Sequence, residues 1–182
     1  PAFAIYGNSV TVAGGAVYSS SNSGLIARSD IRDGRTDWIY HYDPIPPTDR
    51  TVLNHGTAPL LIKDQVICMP RDAHGIFALD RTTGRLLWKN TVVRGVQIIG
   101  TTGDLVIVRG RDLLTAIDLN TGEVRWYRST GHTIGRPTLL NSSVYLAQLD
   151  GLSEIDASTG RTTASRPWSL VDEKPQAFAI VG

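Results

Sequence analysis

Four eleven-residue segments of this 182-residue chain align without a gap, and that self-similarity restricts the fold more than any other feature. They are RSDIRDGRTDW at 28–38, ALDRTTGRLLW at 78–88, AIDLNTGEVRW at 116–126 and EIDASTGRTTA at 154–164. In each, an aspartate (Asp30, Asp80, Asp118, Asp156) stands four residues before a glycine (Gly34, Gly84, Gly122, Gly160). In three of them a tryptophan (Trp38, Trp88, Trp126) follows four residues later. Successive glycines lie 50, 38 and 38 residues apart, so the first interval carries 12 extra residues. A period of this length belongs to chains in which each repeat is one supersecondary unit that buries its apolar faces against its neighbours.

Each position of the frame has a structural task. The aspartate carboxylate can accept hydrogen bonds from amides two or three residues on, and the glycine supplies the positive φ that the turn requires. The hydroxyls of Thr83, Thr121 and Thr159 fit the same turn, while Ala78 and Ala116 leave room for a neighbouring sheet. A ring at a fixed repeat position is expected to be buried between adjacent sheets rather than to stack on a ligand. Short apolar runs surround the frame: 59–62, 65–69, 76–80 and 85–89 in the second copy, 96–99, 105–108, 113–118 and 123–127 in the third. The fourth copy supplies 137–140, 143–147, 152–156 and 161–165. Four short strands per repeat with no sustained helical period predict an all-β chain, a β-propeller of four-stranded antiparallel blades. About four blades are expected, at approximately 1–42, 56–92, 95–130 and 133–170.

The frame Ala-x-Asp-x-x-Thr-Gly-x-x-x-Trp, complete at 78–88 and 116–126, resembles the tryptophan-docking repeat of the pyrroloquinoline-quinone (PQQ)-like β-propeller family. That family holds quinoprotein dehydrogenases and non-enzymatic relatives, among them lipoproteins that assist outer-membrane protein assembly. The first copy departs from the frame at Arg28 and Asp33 and the fourth at Glu154 and Ala164, while residues 41–57 match nothing in it. The resemblance implies a ring of seven or eight blades, of which these four are about half. The segment AFAIYGN at 2–8 is then expected to open the first blade as its innermost strand. Its near-copy AFAIVG at 177–182 places the first strand of a further blade at 175–182. Residence in the periplasm, at the outer membrane or outside the cell is implied by the same resemblance.

Composition narrows the partners. With 18 basic and 17 acidic residues intermixed and a formal charge of +1, the chain has no field to hold a polyanion, so nucleic acid is not expected. No apolar run reaches the roughly 18 residues of a membrane-spanning helix. The single cysteine, Cys68, lies in the apolar run Val66-Ile67-Cys68-Met69 and reads as a small buried hydrophobe. By resemblance a quinoprotein dehydrogenase would need adjacent cysteines beside its quinone and calcium, and these 182 residues have none. No glycine-framed serine elbow occurs either. No catalytic, cofactor-binding or metal-ligating residue is therefore predicted. The favoured reading is a non-catalytic scaffold of the cell envelope, with a protein or envelope component, and the remaining blades, as partners. The alternatives are part of a PQQ-dependent dehydrogenase whose cofactor site lies outside this chain, and an extracellular sensor module.

In the family's strand order, connections between second and third strands and from blade to blade share one loose end. The Asp-to-Gly turns and the turns at 63–64, 101–104 and 141–142 share the tight end. All four histidines, His41, His55, His74 and His132, fall in loose-end connections, as do Arg71, Arg111 and Arg136. These seven residues form the candidate binding face. The histidines lie on different repeats without the close pairing of compact zinc motifs.

Overall fold

The computed structural model describes residues 9–21, 23–46, 57–93 and 95–168, and among these no helix occurs. Sixteen strands form four four-stranded sheets, each in simple sequential order. The first contains β1 (Ser9–Ala13), β2 (Ala16–Ser20), β3 (Leu25–Asp30) and β4 (Thr36–His41). The second contains β5 (Leu60–Ile62), β6 (Gln65–Cys68), β7 (Ile76–Asp80) and β8 (Leu86–Asn90). The third runs β9 (Gln97–Thr102), β10 (Leu105–Arg109), β11 (Leu113–Asp118) and β12 (Val124–Ser129). The fourth runs β13 (Thr138–Leu140), β14 (Ser143–Ala147), β15 (Gly151–Asp156) and β16 (Thr162–Pro167). The chain divides into two compact units, Pro1–Gln97 and Ile98–Gly182.

The first hairpin of a sheet is a two-residue turn. Ala13 pairs with Ala16 around Gly14-Gly15, Ile62 with Gln65 around Lys63-Asp64, and Leu140 with Ser143 around Asn141-Ser142. The first turn residue adopts left-handed backbone even where it is not glycine, with φ 51° at Lys63 and 56° at Asn141. The hairpin between third and fourth strands is the repeated Asp-to-Gly turn. Its aspartate amide donates to the carbonyl five residues on, at 2.8 Å for Asp30, Asp80, Asp118 and Asp156 alike. The next amide reaches across to the first hairpin, Ile31 to Gly15, Arg81 to Asp64, Leu119 to Asp104 and Ala157 to Ser142, at 2.8 to 3.0 Å. Both tight turns of every blade are thereby tied together.

Each fourth strand carries a one-residue bulge. Arg28 pairs with Trp38 but Ser29 with Thr36, Ala78 with Trp88 but Leu79 with Leu86, and Ala116 with Trp126 but Ile117 with Val124. In the fourth sheet Glu154 pairs with Ala164 and Ile155 with Thr162. The bulge puts two consecutive residues outward before the tryptophan position. Val124, two residues before Trp126, accordingly remains 39% exposed.

The strands otherwise match expectation within two residues at each end, except that the third sheet's first strand runs on to Thr102 and shortens the turn expected at 101–104. The first described strand of the first sheet, Ser9–Ala13, pairs with β2 around the Gly14-Gly15 turn. Residues 2–8 and 175–182 lie outside the described residues.

In the first unit the core gathers Tyr18, Ile26, Trp38, Tyr42, Val66, Cys68, Phe77 and Leu79. In the second it gathers Ile107, Leu114, Ala116, Val144, Leu146, Ile155 and Ala157. Cys68 is wholly buried, and burial pushes its thiol well above the usual range, as expected of a packing residue.

Candidate functional site

At the tight end the repeat residues are engaged in holding the fold. Asp80 Oδ1 accepts from Thr82 N (3.0 Å), Thr83 N (2.7 Å) and Thr83 Oγ1 (2.8 Å), and Asp156 Oδ1 accepts the corresponding three from Ser158 and Thr159 and a fourth from Ser158 Oγ. Asp118 accepts from Asn120 N and Thr121 N. In the first copy Arg32 closes on Asp30 with both backbone and guanidinium, holding that carboxyl down at about 2. Hydrogen bonds likewise hold Asp80, Asp118 and Asp156 below the usual carboxylate range. Gly34, Gly84, Gly122 and Gly160 have φ between 70° and 75°.

The glycine has a second task. Trp38 lies flat on Gly84, where an added Cβ would meet indole Cδ2 at 2.5 Å, and Trp126 lies on Gly160, where it would meet Cε3 at 2.7 Å. Each indole Nε1 donates to the carbonyl just after the repeat aspartate, Trp38 to Arg81 and Trp126 to Ala157, both at 3.2 Å. In the first unit Arg81 lies over the Tyr18 ring at 5.7 Å and its Nε donates to the Tyr18 hydroxyl at 3.0 Å, while Thr11 Oγ1 donates to Pro59 O at 2.6 Å. Blade is thus stitched to blade by aromatic, cationic and backbone contacts at once.

The loose end is where side chains remain available. In the first unit it is organised by a buried pair. Tyr42 Oη donates to Asp72 Oδ1 at 2.6 Å and lies 2.9 Å from the Ser21 carbonyl, while Ile45 N donates to Asp72 O at 2.6 Å. Burial first, and Asp72 second, push the Tyr42 phenol well above its ordinary value. This pair pins the start of the long connection after β4 to the turn after β6. Beside it opens a cleft of about 390 Å³ lined by Asp43, Ala73, His74, Phe77, Lys89 and Thr91. Lys89 Nζ stands 5.3 Å from the Phe77 ring centroid, which itself packs at 5.5 Å from Tyr42 and 6.1 Å from Tyr40.

Of the predicted face in this unit, His74 is exposed and lines the cleft, His41 is exposed at the end of β4 and Arg71 is half-buried. His55 lies outside the described residues. In the second unit Arg111, His132 and Arg136 are all exposed. There Arg109 Nη2 donates to Thr133 Oγ1 at 2.7 Å, and Gln148 joins Thr130 O to Ser153 Oγ. Burial, and then the nearby charge of Arg136, lower the Arg109 guanidinium's affinity for its proton. Sequence reasoning missed Tyr42, Asp43, Asp72, Phe77, Lys89 and Arg109 as members of these surfaces. Only their place in or next to loose-end connections hinted at them.

Among the described residues no group of three His, Cys, Asp or Glu side chains is arranged to hold a metal ion. No described helix is long and apolar enough to cross a membrane. The single cysteine of these 182 residues, Cys68, is a free and wholly buried thiol.

Repeated four-stranded blades, with Trp38 docked on Gly84 in the first unit and Trp126 on Gly160 in the second, define a β-propeller repeat protein. The family model described as outer membrane protein assembly factor BamB, a PQQ-repeat model, matches residues 4–97 and 72–181, and the chain belongs to that family. It is 23% identical over 165 residues to the outer membrane protein assembly factor BamB of Moranella endobia, covering 88% of this chain and 42% of that relative. The crystal structure of BamB from Moraxella catarrhalis superposes with a TM-score of 0.64 at 23% identity, over 90% of this chain and 53% of the other. Quinohemoprotein alcohol dehydrogenase from Comamonas testosteroni gives a TM-score of 0.61 at 18% identity, over 87% of this chain and 34% of the other. At these identities the structural likeness establishes the fold. The chain spans about half the length of the BamB relatives it matches.

Proposed function

We propose that this chain is a non-catalytic propeller scaffold of the bacterial cell envelope, periplasmic and associated with the outer membrane, that binds a protein partner through its loose-end connections. The observation that carries this reading is the division of labour between the two ends. Tight-end aspartates, glycines and tryptophans are committed to turns and docking, while the loose end of the first unit holds a pinned cleft with a carboxylate, an imidazole and an ammonium at its rim. Rigid walls carrying a few polar groups over an aromatic floor suit capture of a peptide segment or loop, because little ordering is left to offset on binding. Family membership supports an assembly role at the outer membrane. The histidines and arginines of the face, His41, His55, Arg71, His74, Arg111, His132 and Arg136, act in this reading as contact residues.

The test is co-purification from envelope extracts. A chain carrying Lys89→Glu and His74→Ala loses its outer-membrane assembly partners, whereas Arg32→Glu at the tight end, on a side chain 85% exposed, keeps them. Unchanged capture by the loose-end double variant, with loss in the tight-end variant, would overturn the proposal.

A further inference from the structure

The loose end of the second unit holds a half-buried guanidinium that no carboxylate pairs among the described residues. Arg109 closes β10, where it pairs across to Leu114 of β11. Its Nη2 donates to Thr133 Oγ1 at 2.7 Å, and this bond to a neutral hydroxyl is the side chain's one hydrogen bond among the described residues. Nε is sealed from solvent without a partner. Nη1 is neither bonded nor sealed, so it reaches solvent.

Taking a charge out of water costs free energy unless an opposite charge or hydrogen bonds compensate it. Here a second cation is brought up instead. The charge of Arg136 loosens the hold of Arg109 on its proton, against a smaller opposing effect of Asp112. Among the described residues neither Arg109 nor Arg136 forms an ion pair. The proton of the Thr133 hydroxyl likewise has no acceptor there.

These donors are held in place by the fold. Thr133 bridges to Gln148, Ile134 N donates to Ala147 O at 2.7 Å, and Gln148 Nε2 donates to Thr130 O at 2.6 Å. Thr130 N donates to Asp112 O at 3.0 Å, which ties the β10–β11 turn to the same place. Groups fixed in this way lose little freedom when they bind.

We propose that Arg109 Nη1, the Thr133 hydroxyl and Arg136 form a site for a single carboxylate carried by a protein partner. The inference rests on the reading of the loose end as the binding end, and gives its second unit a ligand chemistry. A planar carboxylate presents two acceptor oxygens to guanidinium donors. Charge selects it over phosphate. Two guanidinium charges set against the Asp112 carboxylate leave one positive charge, which a carboxylate neutralises, whereas a phosphate monoester brings about 1.5 to 2 negative charges. A formal charge of +1 on the whole chain supplies no wider field for an anionic membrane surface.

Nitrogen-15 NMR of the arginine side chains in the purified protein tests the site, because the sealed Arg109 Nε–H exchanges more slowly with water than the N–H of an exposed arginine. The probes are an end-blocked glycine pentapeptide with one central glutamate, its glutamine and phosphoserine counterparts, and pentaglycine with a free carboxyl end. A carboxylate peptide shifts the Arg109 resonance saturably, the blocked one if the partner's carboxylate is a side chain and the free-ended one if it is a chain terminus. The glutamine peptide leaves it in place. Arg136→Gln, at an exposed position, weakens binding about tenfold with an unchanged melting temperature, while Arg32→Glu at the tight end leaves binding unchanged. The titration uses no envelope extract, so failed partner capture at the first-unit cleft and a silent Arg109 are separate results. No saturable shift with either carboxylate peptide, an equal shift with the glutamine peptide, tighter binding of the phosphoserine peptide, or a larger response to phosphatidylglycerol vesicles would each overturn the proposal.

Discussion

Seating of an indole on a glycine makes a quantitative prediction for the Trp38–Gly84 pair. Trp38 is 92% buried by its 8% exposure, and a buried tryptophan removes about 150–250 Å² from water. At about 25 cal/mol per Å² this corresponds to about 4–6 kcal/mol as an upper bound. Partial collapse of the site brings the expected cost of Trp38→Ala to about 3–5 kcal/mol, including the hydrogen bond to Arg81 O. Gly84→Ala adds left-handed strain of about 1–2 kcal/mol and a Cβ 2.5 Å from indole Cδ2, for a total of about 2–4 kcal/mol. Once Trp38 is gone only the strain remains. The double-mutant cycle should therefore give a coupling of about 1–3 kcal/mol, while Trp38→Ala combined with Gly160→Ala, whose indole is Trp126, should be additive. Urea unfolding followed by far-UV circular dichroism measures each corner, with a constant m-value as the check that the same surface unfolds. A Gly84→Ala cost that is the same with and without Trp38 would refute the seat.

Three further outcomes follow from local geometry. The repeat carboxylates have folded-state pKa values held below the usual 3.8, to about 2 for Asp30. Their contribution is fully present above pH 4 and is lost as pH falls towards 2, so an acid titration of the unfolding midpoint should show that fall, and Asp80→Asn should flatten it. Lys63 holds φ 51° at a turn that glycine enters freely, so Lys63→Gly should raise stability by about 1 kcal/mol in thermal unfolding, and a decrease would show that no strain is stored there. Gly75→Ala would place a methyl 1.9 Å from Asn90 O, and with φ 94° it should cost about 3 kcal/mol or more and expose the β7–β8 amides to hydrogen exchange.

The parts of the fold that were legible in the sequence are those whose chemistry is local. Asp80 and Gly84 are four residues apart and close one turn, so their spacing alone announces it, and Lys63-Asp64 separates two apolar runs unmistakably. The bulge before Trp126 was not legible, because a single extra residue leaves composition unchanged while moving Val124 to the outside. Nor was the glycine's service as a seat, which depends on a tryptophan 46 residues earlier for Gly84 and 34 earlier for Gly160. The candidate site was legible only as a set of loops. His74, a loose-end candidate, lines the cleft, but Tyr42 and Asp72, 30 residues apart, meet only through the blade order. Asp72 lies in a loop, and sequence cannot distinguish a solvated loop carboxylate from one with no exposed surface.

The claim on which the account rests is that the loose end binds and the tight end builds. Photocrosslinking from single positions in the assembled envelope tests it most directly, with the photoreactive residue at His74 or Thr91 for the loose end and at Thr82 or Arg32 for the tight end. These side chains are exposed, so the probe leaves the fold intact. Under the proposed function, discrete adducts with an outer-membrane assembly protein form from His74 and Thr91 and none from Thr82 or Arg32. Adducts confined to Thr82 and Arg32 would contradict it.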